Sequence, residues 1–255
     1  MVPSLHASEA SIQEEQDMID GIKALTFDTG GTILDWHTGI EAKLTEIGAR
    51  HGVAADWAAV TNIYRRRSLM AMSAGAADFQ PAFNIDDVHR EQIEIVTGEH
   101  GVTSFTAADF DDVRDAWHSL ACWPDVPDGL VRLRRKYLVA SLTILSFRLI
   151  MDTCKPAGIV WDAVFSCEAI GFYKLRPQAY QRAAQWLQVE PEECLMVAAH
   201  PGDLMAAARV GYRTAFVRRP SEWGQDETPP EVPDDFRPDI TVDGFGELAD
   251  ELGAF

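Results

Sequence analysis

The sequence predicts an α/β protein in which a parallel sheet is interrupted, after its first strand, by a helical block. Three observations predict it. Residues 22–34 are an apolar strand running into a glycine-rich turn, residues 39–123 show helical spacing with few strand-like runs, and from residue 124 onward short apolar strands alternate with helices. Alternation of that kind implies parallel strands joined by right-handed crossovers.

Residues 1–20 are polar and acidic, with Glu14, Glu15, Asp17 and Asp20, and are expected to form a tail without chemistry. The first strand closes at Asp28, where Gly30 and Gly31 permit a tight turn and offer backbone N–H groups to an anion. After the helical residues, the turn formers of Trp123-Pro124-Asp125-Val126-Pro127-Asp128-Gly129 mark the return to the sheet. Then follow a helix over 129–136, a strand over 137–146, a helix over 149–157, a strand over 163–169, a helix over 178–187 and a strand over 194–200. A helix from about Asp203 and strands over 213–218 and 239–242 complete the pattern, with Pro229, Pro230, Pro233 and Pro238 marking a loop. The expected organisation is a tail (1–20), an α/β core (21–38 and 124–255) and a helical unit (39–123).

The chain has 255 residues, 47% hydrophobic and 24% charged, which suits a globular protein with one main core. Its net charge of −18 excludes nucleic acid and anionic membrane surfaces as natural partners. No apolar run is long enough to span a bilayer. Cys122, Cys154, Cys167 and Cys194 show neither paired nor metal-ligating spacing, and no charged-then-apolar leader opens the chain, so a reduced cytoplasmic setting is expected.

Open parallel sheets bind ligands beyond the carboxyl ends of their strands. Four polar residues fall there in order: Asp28, Ser146, Lys174 and Asp203. On residue types alone, Asp28 is equally a nucleophile or a turn-capping carboxylate. Ser146 is a hydrogen-bond donor to the site or a strand-end cap, and Asp203 is a water-orienting acid, the N-cap of the next helix, or both.

The order of these groups resembles the haloacid dehalogenase (HAD) superfamily, whose motifs are an Asp nucleophile, a Ser or Thr, a Lys and a final acidic residue. The resemblance runs from about Ile22 to the C-terminus. It rests on Phe27-Asp28-Thr29-Gly30-Gly31-Thr32, Ile144-Leu145-Ser146, Tyr173-Lys174-Leu175-Arg176-Pro177 with Tyr180, and Ala198-Ala199-His200-Pro201-Gly202-Asp203. Gly30 stands where phosphatases of the superfamily carry a second Asp as general acid. A leaving halide needs no proton, so the sequence is most similar to the 2-haloacid dehalogenases, including members that act on fluoroacetate.

The resemblance implies a Rossmann-like core with a helical cap, no metal or cofactor, a homodimer, and a small carboxylate substrate. It implies that Asp28 attacks carbon to form an ester, that Lys174 keeps Asp28 ionised and that Asp203 orients water. Thr29, Gly30, Arg65, Trp36, Phe147 and His200 are the expected substrate-side residues, with His200 a water ligand and Trp36 and Phe147 walls of an apolar pocket. Because the overall charge repels a carboxylate, local cations are required, and of the adjacent Arg65, Arg66 and Arg67 at most two can reach one site. Phe147 stands where the Ser-Asn-Gly pattern of the dehalogenases places a halide-holding Asn, with Arg148 as a substitute donor. Three alternatives are open: ring opening of L-azetidine-2-carboxylate by the same nucleophile, a Mg²⁺-dependent phosphatase, and a non-catalytic scaffold.

Overall fold

A computed structural model describes residues 21–75 and 84–255; the acidic tail expected at 1–20 lies outside them. Six strands form one sheet: β1 (Ala24–Phe27), β2 (Leu138–Thr143), β3 (Ala163–Ser166), β4 (Cys194–Ala198), β5 (Arg213–Val217) and β6 (Ile240–Val242). Their order is β3-β2-β1-β4-β5-β6 and every pairing is parallel. β1 lies between β2 and β4, in register at Phe27 with Ser141 and Val197. Buried on both faces, it has no exposed side to carry polar residues, hence its sequence Ala-Leu-Thr-Phe.

Between β1 and β2 the chain forms α1 (Trp36–His51), α2 (Trp57–Gly75), α3 (Ile85–Glu99), α4 (Ala107–Ala116) and a 3₁₀ turn (Trp117–Ser119). Local chemistry sets the ends. Asp35 caps α1 by accepting from the Thr38 amide, Gly52 closes it in the left-handed conformation, and Thr106 with Asp109 forms a capping box on α4. The block meets the sheet through an apolar cluster of Met72, Ile85 and Val88 with Cys167 and Tyr173. It is also tied down by a polar chain: the Ser146 hydroxyl donates to Asp86, and His118 pairs with Asp86 (3.3 Å) and Asp152 (2.9 Å).

The crossovers are α5 (Val126–Arg134), α6 (Phe147–Cys154), α7 (Cys167–Ile170), α8 (Pro177–Leu187) and α9 (Pro201–Ala208), and α10 (Phe245–Glu251) follows the last strand. Two expected strands are shorter than the apolar runs that suggested them. β2 stops at Thr143, three residues before Ser146, and Ser146 instead caps α6 through its bond from the Leu149 amide (3.1 Å). β3 stops at Ser166, where a hydroxyl cap starts α7. In both places a Ser side chain offers the backbone a helix start that hydrophobicity alone does not reveal. The four cysteines are free thiols; burial pushes Cys167 up to about 12, in keeping with small core residues.

α5 packs against α10 so closely at Gly129 that an added Cβ would lie 2.8 Å from the Phe245 carbonyl carbon. Gly129→Ala is therefore expected to cost about 1–3 kcal/mol through overpacking. Urea unfolding monitored by circular dichroism checks this, against the solvent-facing Gly246→Ala as control.

Candidate active site

The carboxyl ends of β1, β2 and β4 and the turn before α8 converge on Asp28, which is almost fully buried. Its backbone N–H pairs with the Val197 carbonyl, fixing the strand end, and its two carboxylate oxygens have different surroundings. Oδ1 accepts from Lys174 Nζ at 2.7 Å; Oδ2 accepts from the Thr32 hydroxyl at 2.7 Å and meets His200 Nδ1 at 3.0 Å. Thr32 is held for this role because its own oxygen accepts from the Ala199 amide at 2.9 Å.

Lys174 spans two carboxylates, since its ammonium also lies 2.7 Å from Asp203 Oδ2. Asp203 Oδ1 accepts from the Tyr180 hydroxyl at 2.6 Å. Leu175, directly after Lys174, has φ of +61°, a conformation disfavoured for leucine; this turn sends Lys174 inward while leaving Leu175 at the mouth of the cavity. Asp203 is in the first turn of α9 rather than at its N-cap, which is His200.

His200 bridges two carboxylates, Asp28 through Nδ1 and Glu222 Oε1 through Nε2 at 2.9 Å. A carboxylate only accepts, so both ring nitrogens must donate and the ring is an imidazolium. Burial alone would lower its pKa, but Glu222 and Asp28 outweigh burial and hold it at about 10. Burial would likewise raise Asp28; the charges of Lys174 and His200 and their hydrogen bonds overcome this and hold it far below the usual carboxylate range. For Asp203 burial wins, aided by the charge of Asp28, and its pKa rises despite Lys174.

Glu222 is the residue the sequence reading missed. It is 1% exposed, and its Oε1 also accepts from the Trp36 indole at 3.0 Å. Gly31, with φ of +96°, makes room for it, because a Cβ there would collide with the Glu222 carboxyl. The Gly31 N–H is not available to an anion, being bonded to the Leu34 carbonyl. An isolated Glu in the proline-flanked segment 218–223 gives no periodic or motif signal; the one available hint was its closeness to Arg219 and Trp223.

Arg65, on α2, is 3% exposed and stands between Trp36 and Trp117, its guanidinium carbon 5.5 and 5.2 Å from their ring centroids. Its Nε and Nη1 have no partner among the described residues, and burial lowers its pKa. Unpaired buried donors of this kind are costly unless an anion satisfies them. Arg66 is instead paired with Glu227 over Trp223, and Arg67 with Glu99 at the surface. Lys174, His200 and Arg65 balance Asp28, Asp203 and Glu222, so the overall acidity of the chain is cancelled here.

A cavity of about 310 Å³ opens beside Asp28, and Gly30, Arg65, Met72, Ile144 and Trp223 are among its lining residues. Several expected substrate-side residues are elsewhere. Trp36 lies beneath the site as a support for Glu222 and Arg65. Thr29 is buried with its hydroxyl 2.6 Å from that of Thr143. Ser146 and Phe147 do not reach Asp28: Ser146 bonds Asp86, Phe147 is 39% exposed and its amide bonds Glu168, and the exposed Arg148 pairs with Asp152. The physical reason is the early end of β2. Thr143 is the strand-end hydroxyl, and Ile144, the next residue, faces the cavity.

Because the folded pKa of His200 is raised above its ordinary 6.5, its pairing stabilises the fold fully below pH 6.5 and is lost as pH rises through about 10. Between those values stability is expected to fall by up to roughly 1.4 kcal/mol per pH unit from this group. Denaturation series across that range check it, and His200→Gln is expected to flatten the dependence.

A haloacid dehalogenase-like hydrolase family model matches residues 22–211. The (S)-2-haloacid dehalogenase 4A of Burkholderia cepacia is 27% identical over 209 residues, covering 79% of this chain and 85% of that protein. The crystal structure of the defluorinating L-2-haloacid dehalogenase Rha0230 superposes with a TM-score of 0.84 at 35% identity, covering 91% of this chain and 96% of that one. That of the L-2-haloacid dehalogenase PA0810 gives 0.82 at 29%, covering 92% and 100%. With this match over most of its length, the chain belongs to the haloacid dehalogenase-like hydrolases, as an enzyme of the 2-haloacid dehalogenase branch.

Proposed function

We propose that the enzyme displaces the leaving group from a small 2-substituted carboxylic acid through an ester on Asp28, with an (S)-2-haloacid as the first candidate substrate. The observation that carries this reading is the asymmetry of Asp28. Oδ2 is held by two donors, whereas Oδ1 accepts only from Lys174 among the described residues, leaving an electron pair for the substrate. Its depressed pKa keeps it ionised at neutral pH.

The substrate carboxylate sits against the guanidinium of Arg65, which lines the cavity. Oδ1 forms a bond to C2 as the carbon–halogen bond breaks, the halide leaves with its electron pair, and C2 inverts. Water then adds to the Asp28 carboxyl carbon and gives a proton to Asp203, whose raised pKa suits it as base. Collapse releases the 2-hydroxy acid, whose oxygen takes that proton; the water oxygen stays on Asp28, and the second water proton leaves to solvent as the carboxylate is restored. Helices α1–α4 act as a cap that limits water in the cavity. Lys174, between Asp28 and Asp203, supplies the positive charge that a metal ion would otherwise bring.

A second reading, ring opening of L-azetidine-2-carboxylate, draws on Ile144. Phe147, at the position of the halide-holding Asn, is 39% exposed, and the residue after β2 that lines the cavity is the apolar Ile144, so no Asn or Gln among the described lining residues holds a departing halide. The family resemblance leads us to expect a homodimer in the cytoplasm, which sedimentation velocity checks for the assembly.

Chloroacetate, fluoroacetate, both 2-chloropropionate enantiomers and L-azetidine-2-carboxylate are the test panel, assayed with excess chelator. Chloride release from the (S) enantiomer, absent in Asp28→Asn, is the expected result; ring opening alone would move the leaving group to nitrogen, and no turnover of any member would move the weight to the phosphatase or scaffold reading. Single turnover in ¹⁸O-water should label Asp28 and not the product. Arg65→Lys is expected to lower kcat/KM about 10- to 100-fold by removing a charged hydrogen bond, with steady-state kinetics as the check.

A further inference from the structure

We propose that His200, held by Glu222, stabilises the oxyanion of ester hydrolysis, so that it serves the second chemical step more than the first. The inference rests on the ester reading above and deepens it. When Oδ1 carries the alkyl group, Oδ2 becomes the ester carbonyl oxygen. Water adding to the carboxyl carbon pushes the carbonyl electron pair onto Oδ2. The groups already on that atom are the Thr32 hydroxyl at 2.7 Å and His200 Nδ1 at 3.0 Å. Donors placed where charge develops need no rearrangement at the moment of reaction.

Alkylation also explains Glu222. Esterification removes the negative charge of Asp28, and a histidine facing Lys174 and Arg65 with no other anion would shed its proton. Glu222 Oε1, 2.9 Å from Nε2 and 1% exposed as a residue, remains to hold it. The Trp36 indole, donating to the same oxygen at 3.0 Å, fixes the direction of the carboxylate. Around His200 the facing charges are thus Asp28 and Glu222 in direct contact, with Lys174 and Arg65 beyond Asp28 and Asp203 bound to Lys174. Collapse of the tetrahedral adduct returns the electron pair from Oδ2 to the carbonyl and expels the product oxygen, which takes the proton from Asp203. His200 gives up no proton in the cycle. Glu222, touching no reacting atom, is a positioning residue.

The experiment is rapid-quench turnover of (S)-2-chloropropionate, following first-equivalent chloride release and the ester on intact protein by mass spectrometry. In His200→Gln, ester hydrolysis is expected to slow about 100-fold, while the chloride burst changes less than about tenfold, so ester accumulates. Glu222→Gln is expected to move the alkaline limb of ester hydrolysis to lower pH and leave that of the burst in place, a shift that a merely structural role would not produce. Burst and turnover falling together in His200→Gln, or an unmoved alkaline limb in Glu222→Gln, would overturn the assignment. Absence of chloride release and of ester from the wild-type enzyme on every halide of the panel would instead overturn the ester reading itself.

Discussion

The ammonium of Lys174 between two buried carboxylates is the constraint from which the site follows. Asp28 and Asp203 both lie within 2.7 Å of Nζ, with every member of the trio nearly inaccessible to water. Two carboxylates and one ammonium leave an excess negative charge, which burial makes expensive. The structure relieves it unequally. Asp28 gains a second cation, His200, and stays ionised; Asp203 gains only a neutral phenol, Tyr180, whose hydrogen bond does not offset burial, and its pKa rises. Neighbouring groups thus push two identical functional groups apart, one toward staying ionised and the other toward holding a proton.

Much of this was legible in the sequence because it is tied to strand ends. An apolar strand followed by glycine places Asp28, and the Lys-x-x-Pro-x-x-Tyr spacing places Lys174 with Tyr180 across a turn into α8. What was not legible depended on where β2 stops. Residues 137–146 read as one apolar strand, yet the sheet uses only Leu138–Thr143. The remainder turns toward α6 under a Ser146 cap, so the hydroxyl at the strand edge is Thr143 and the cavity receives Ile144. A ten-residue strand is long for a sheet whose other strands have three to five residues. That comparison was the signal available for ending it earlier.

Glu222 was illegible for a different reason. Its importance comes from contacts with Trp36 and His200, 186 and 22 residues away in sequence, in a segment without regular periodicity. The glycine that admits it did attract attention, but for the wrong property. Gly31 suggested an exposed anion-binding amide; its amide is occupied, and its missing side chain is what matters. A glycine beside a strand-end carboxylate can therefore mark a buried partner as readily as a bound ligand.

The helical block adds what the sheet cannot. The strand ends, Lys174 and α9 supply groups that surround Asp28, but the cation that the helical block brings to the cavity is Arg65 on α2. Its guanidinium is held by Trp36 and Trp117 rather than by an acid, and Trp117 is in turn stacked on the buried ring of His89 at 4.0 Å. Holding a cation with aromatic faces keeps its N–H groups uncommitted. An acidic partner would secure Arg65 more firmly and cancel its charge. The same logic reconciles a chain of net charge −18 with a site for a small carboxylate, as proposed: Lys174, His200 and Arg65 offset Asp28, Asp203 and Glu222 locally, and the aromatic clamp leaves Arg65 its charge.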